Sequence, residues 1–174
     1  MKLIISLIVC LSAGQTFAQN RISLTEADGF ARVSGGATLG TSLNLLTFQV
    51  EAGYRLLPKY EKVFLGATFQ SSPITRSGTT TTDTFTGYGI LGYYHFSDEN
   101  SGFMAGLKAG LFSRTGTTFN GIFVAPTVVY NYPLFDFLSV GCEISTDILF
   151  RTSGSTTVTA PVLINALASV QYWF

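Results

Sequence analysis

The sequence predicts an all-β fold, an eight-stranded antiparallel up-and-down barrel that spans a membrane. Three observations carry this prediction. Unlike residues alternate with a period of two over runs of about ten residues. The connections between these runs fall into two kinds that take turns along the chain. The composition is 47% hydrophobic and only 11% charged, where about a quarter charged is usual. Even so, no stretch after the first 18 residues approaches the ~18 consecutive apolar residues of a membrane helix.

Residues 1–18 read as a secretory signal peptide, which leaves residues 19–174 as a single barrel domain. Met1-Lys2 is a basic start, Leu3 to Leu11 is an apolar run, and Thr16 and Ala18 are the small residues of a cleavage site. Val9 before Cys10 argues against a lipid-modified cysteine. Cleavage leaves Cys142, so no internal disulfide is expected. The formal net charge is zero and no charge run appears, so nucleic acid is not an expected partner.

Turn signals divide the rest into strands near 29–39, 47–57, 62–71, 84–96, 102–113, 120–132, 137–150 and 158–174. The second sets Phe48, Val50, Ala52, Tyr54 and Leu56 against Gln49, Glu51, Gly53 and Arg55. The fourth sets Tyr88, Ile90, Gly92, Tyr94 and Phe96 against Gly87, Gly89, Leu91, Tyr93 and His95. In the fifth, Phe103, Ala105, Leu107, Ala109 and Leu111 alternate with Met104, Gly106, Lys108, Gly110 and Phe112. The first, third, fifth and seventh connections are rich in Thr, Ser and Gly, and the longest is Ser71 to Asp83. The second, fourth and sixth ("PKYEK", "SDENSG", "PLFD") are tight and carry turn residues. Each strand is long enough to cross a bilayer when tilted.

Two closed barrels fit such alternation. A secreted, lipocalin-like ligand-binding barrel is apolar inside. A membrane barrel is apolar outside. The charges decide between them. Arg32, Glu51, Arg55, His95, Lys108, Glu143 and Asp147 fall on the less apolar face. The other face carries residues such as Val50, Leu65, Phe69, Ile90, Leu107, Val128, Ile144, Val162 and Val170. With that clean face turned inward, the outside would hold too few charges for solubility. Turned to lipid, it leaves the charges facing one another in the lumen. Aromatic residues are expected in two girdles. Phe48, Phe69, Phe85, Phe112, Phe119 and Phe150 lie near the Thr-rich connections. Tyr54, Tyr94, Phe96, Phe103, Tyr130, Tyr132, Phe137, Tyr172 and Trp173 lie near the tight turns.

The last residues, "ASVQYWF", place Ala168, Val170, Tyr172 and Phe174 on one face. This amphipathic final strand with an aromatic end resembles the bacterial outer-membrane barrel proteins. Among these the chain is similar to the small eight-stranded class of the OmpA transmembrane domain and the OmpX/Ail type. The resemblance implies a bacterial outer-membrane location, both termini in the periplasm and the Thr-rich connections outside. It implies that Val170, Tyr172 and Phe174 act as an assembly signal read by the barrel-assembly machinery, with periplasmic chaperones as earlier partners. Outer-membrane lipid and lipopolysaccharide are the implied surroundings.

An eight-stranded lumen is only wide enough for side chains to fill it. Arg32, Glu51, Arg55, Lys108, Glu143 and Asp147 are therefore expected to form a lumen charge network, with Arg32 meeting Glu51 across the first hairpin. The alternative is a narrow or gated channel in which these groups re-pair. No cofactor or metal is expected, because one His and one remaining Cys make no ligand set. His95-Phe96-Ser97 resembles the His-x-Ser of lipid A deacylases, but it falls in a predicted tight turn, so catalysis is not expected. The expected role is structural or surface-interaction.

Overall fold

The computed structural model describes residues 27–39, 44–56, 60, 62–75, 82–98, 101–115, 120–153 and 156–174. The predicted signal peptide and Phe119 lie outside them, as does much of the segment from Ser71 to Asp83. Side chains are not described for residues 44–45, 74–75, 82–83, 151–153 and 156–161.

Eight strands follow one another in chain order: β1 Gly29–Leu39, β2 Asn44–Arg55, β3 Val63–Thr75, β4 Thr82–His95, β5 Gly102–Arg114, β6 Asn120–Phe135, β7 Leu138–Ser153 and β8 Thr156–Trp173. Each pairs antiparallel with the next, and β8 returns to β1 to close the barrel. Closure removes both sheet edges, so each strand has a partner on either side. The end holding Gly29, Trp173 and the tight turns is called proximal here, and the opposite end distal.

The strands run two to four residues further into several Thr-rich segments than their alternation suggests: β3 reaches Thr75 and β7 reaches Ser153. Thr is β-branched and favours the extended chain. The added residues go on pairing with the hairpin neighbour, Thr75 with Thr82 and Ser153 with Thr156. Two irregularities mark β7. Its register with β6 shifts between Pro133 and Phe135, and its register with β8 shifts between Ile148 and Phe150.

Eight strands close only if they coil tightly. Paired glycines permit this. Gly53 opposes Gly66 across β2 and β3, and Gly89 opposes Gly110 across β4 and β5. A Cβ on Gly66 would sit 1.9 Å from the Ala52 carbonyl oxygen, and one on Gly110 would sit 2.1 Å from that of Tyr88.

The apolar face points outward. Ile90 is 71% exposed and Leu46 74%, and Val50, Leu65, Leu107, Val128, Ile144 and Val162 stand out around the wall. Among the described residues no helix is long and apolar enough to cross a membrane. The outward belt belongs to the strands.

The interior is layered. Phe30, Phe64, Leu91, Tyr93, Met104, Val129 and Trp173 form an apolar cluster at the proximal end. Phe85, Phe112, Phe123, Ala125, Leu149 and Leu163 form a second at the distal end. Three aromatics predicted for the girdles are therefore interior. Phe85 stacks on Phe112 at 5.3 Å. Trp173 meets Phe64 at 5.9 Å and Phe30 at 6.0 Å, both edge-on. The reason is parity. Trp173 lies between the outward Tyr172 and Phe174, so the pleat turns it inward. Phe85 and Phe112 share the inward phase of Leu91 and Lys108 on their own strands. Phe48, Tyr54, Phe69, Tyr94, Phe96, Phe103, Phe137 and Tyr172 face outward.

Candidate functional site

Between the two apolar clusters lies a polar layer built from inward positions. Arg32 on β1 is in register with Glu51 on β2 and ion-pairs with it. Its guanidinium also lies 3.5 Å from Glu143 and donates to Tyr93 Oη at 2.8 Å and Gln171 Oε1 at 3.3 Å. It stacks over the Tyr93 ring at 4.9 Å, a favourable cation–π contact. Lys108 on β5 ion-pairs with Glu143, and with Glu51 at 3.0 Å, and donates to Gln49 Oε1 at 3.0 Å. Gln49 Nε2 bridges the two carboxylates, at 2.8 Å from Glu51 and 3.0 Å from Glu143. Tyr93 Oη donates to Glu51 at 3.2 Å.

The core of the site is thus two cations and two carboxylates, all essentially buried. Its charge sums to zero. Ionised groups removed from water need partners on most of their donors and acceptors, and Gln49 and Tyr93 supply what the four charges do not give one another. Both lie on the inward phase in the sequence, Gln49 two residues before Glu51 and Tyr93 two before His95. That parity is the signal that marks them.

Two predicted members stand apart. Arg55 is four residues beyond Glu51, about 13 Å along the strand. It is half-buried at the proximal end and donates to the Ala27 carbonyl. Asp147 is four residues beyond Glu143 and belongs to a separate distal polar patch. Its Oδ2 accepts from Asn165 Nδ2 at 2.9 Å and from Gln70 Nε2 at 3.1 Å.

His95 is buried at the proximal end, edge-on to Trp173 at 5.7 Å. The Ser97 N–H donates to its Nδ1 at 3.2 Å, which makes the ring a cap on the turn. Among the described residues no group of three or more His, Cys, Asp or Glu side chains gathers.

On the outer wall of β8, Val170, Tyr172 and Phe174 are each about half exposed. Tyr172 lies 5.7 Å from Phe137 and 6.2 Å from Phe174, and Phe137 lies 6.1 Å from Phe135. Together these rings make an aromatic ladder at the proximal rim. Val170 helps frame a shallow apolar groove with Val33, Gly35, Phe48, Val140 and Ala168.

A closed eight-stranded wall with apolar residues out and a packed polar layer in is a transmembrane barrel fold. A solved structure shares it. Neisserial surface protein A superposes with a TM-score of 0.58 at 13% identity, over 84% of this chain and 96% of that one. The N-terminal barrel domain of Pseudomonas aeruginosa OprF matches with a TM-score of 0.49 at 13% identity, over 86% and 100%. The outer-membrane protein AlkL matches with a TM-score of 0.49 at 12% identity, over 92% and 96%. No family model and no curated protein sequence matches the chain.

Proposed function

We propose that this chain is an integral protein of a bacterial outer membrane, exported by its first 18 residues, with a sealed barrel and a structural or surface-interaction role. One observation carries the sealed reading. The neutral charge cluster is closed off by an apolar cluster on each side, with Trp173 among the proximal plug residues and Phe112 among the distal ones. Ions entering from either end would meet apolar packing before the four charges of that cluster; Arg55 at the proximal end and the buried Asp147 patch at the distal end lie nearer the mouths. The outward apolar belt supports lipid and lipopolysaccharide as the surroundings. The outward Val170, Tyr172 and Phe174 supply the face that the assembly machinery would read, after delivery by periplasmic chaperones. The distal end would then face outside the cell and carry whatever contact the protein makes there. No catalytic step belongs to this reading.

Planar-bilayer recording tests it against the gated channel. The purified barrel, folded in detergent, should insert without unitary current steps at any applied voltage. Reproducible steps that change in Lys108→Ala would overturn the sealed reading.

A further inference from the structure

One rung of the barrel carries three buried oxygens that the described residues do not satisfy. Ser34 on β1 is in register with Ser169 on β8, Ser169 with Gly141 on β7, and Gly141 with Asn131 on β6. Parity turns all four inward. Ser34 is 1% exposed, Ser169 5% and Asn131 0%. Among the described residues, Ser34 Oγ, Ser169 Oγ and Asn131 Oδ1 have no hydrogen-bond partner.

Their positions make them a group. Side chains directly opposite on paired strands have Cβ atoms about 4.5–5.5 Å apart, so the two serine hydroxyls are close neighbours that do not bond each other. Gly141 puts no side chain between Ser169 and Asn131. Asn131 Oδ1 lies 3.0 Å from where a Gly141 Cβ would stand, so the amide leans over the glycine toward Ser169. Its nitrogen is turned the other way and donates to Met104 Sδ at 3.3 Å. A thioether sulfur only accepts, which fixes the nitrogen on that side and the oxygen over Gly141. A buried oxygen without a partner is costly, and three on one rung call for a shared one. That partner must donate to Asn131 Oδ1 and can give or take with each hydroxyl. Arg32 is two residues from Ser34 on β1, and Glu143 is two residues from Gly141 on β7. The rung is thus flanked by one charge of each sign, so neither a cation nor an anion gains there. A neutral molecule with both donors and acceptors fits, and water is the smallest.

We propose that this rung binds a buried water, which links Ser169 to Ser34 on one side and to Asn131 Oδ1 on the other. The water completes the polar layer beside the charge cluster, where the inward side chains are shortest.

The test is a double-mutant cycle on Ser34→Ala and Ser169→Ala, read by urea unfolding of the detergent-folded barrel. A buried hydroxyl with no partner burdens the folded state, so removing it would lower the unfolding equilibrium constant. A hydroxyl held by water supports the folded state, so each substitution should instead raise that constant, about three- to tenfold. The two rises should not add, because either substitution breaks the same bridge. A constant that falls or stays level in either variant would overturn the proposal, as would two fully additive rises. A second measurement on wild type alone covers the case in which a variant does not fold. Crystals diffracting to high resolution should show a water peak within hydrogen-bond reach of both serine hydroxyls and Asn131 Oδ1, and the absence of a peak there would overturn the proposal. So would a sodium-dependent stability that Ser169→Ala abolishes, since the occupant would then be a cation.

Discussion

Gly29 and Phe174 close the barrel by exchanging two backbone hydrogen bonds. The Gly29 N–H donates to the Phe174 carbonyl at 2.8 Å, and the Phe174 N–H donates to the Gly29 carbonyl at 3.1 Å. The pair extends the β1–β8 ladder one step past the Phe30–Trp173 pairing. The same residue that offers an outward aromatic ring thus supplies the last rung of the seam.

Gly29 has no room for a side chain. A Cβ there would sit 2.7 Å from the Gly53 carbonyl oxygen and 2.8 Å from the Phe174 ring. The ring can move aside, but the carbonyl is fixed in the β1–β2 ladder. Gly29→Val should therefore cost about 1–3 kcal/mol, the usual penalty of overpacking. Urea unfolding of the refolded barrel measures it. A variant as stable as wild type would mean the seam is looser than these distances require.

The central cluster should respond very unevenly to substitution. Glu51→Ala leaves Arg32 and part of Lys108 buried without their partner. Breaking a buried pair from one side costs about 3–5 kcal/mol. The double variant Arg32→Met, Glu51→Leu removes both charges and replaces them with apolar volume, so it should cost less than Glu51→Ala alone. A double-mutant cycle in urea reads the coupling. Additive losses would show that the two side chains do not act as a unit.

A lipid-facing charge is costly in proportion to its depth. Ile90 pairs with Ala67 on one side and Ala109 on the other, near the middle of the wall. Ile90→Arg should cost about 2–4 kcal/mol for the barrel folded into vesicles, and Leu46→Arg near the distal rim about 0–1 kcal/mol. Equal, small costs at both sites would place this wall in water instead of hydrocarbon.

The existence, order and facing of the strands were legible because alternation is a local signal. Val50, Leu65 and Ile90 announce their face without reference to any other strand. The adjacency of β1 and β2 was likewise enough to set Arg32 beside Glu51. What remained hidden depends on distance along the barrel. Arg55 and Asp147 share the inward phase with the network, yet each is a full four residues from it. Gln49 and Tyr93 carry no charge, so nothing drew attention to them although parity turns them inward. The apolar plugs were hidden for a related reason. Alternation separates two faces but does not say that an inward face changes from aromatic to charged and back along its length.

Trp173 reports directly on that layering. It is the one tryptophan of the sequence, it is 2% exposed, and its indole N–H donates to Ser139 Oγ at 3.0 Å. A girdle tryptophan would touch lipid, whereas this one is surrounded by Phe30, Phe64 and His95. Fluorescence of the barrel in vesicles of brominated lipid should be quenched only weakly, and acrylamide should add little. The double variant Tyr172→Trp, Trp173→Phe moves the indole one residue and reverses its facing. Its emission should be quenched strongly by the same lipid. Strong quenching of wild type would put Trp173 on the outer wall and would open the proximal end of the lumen, removing half of the packing that seals it.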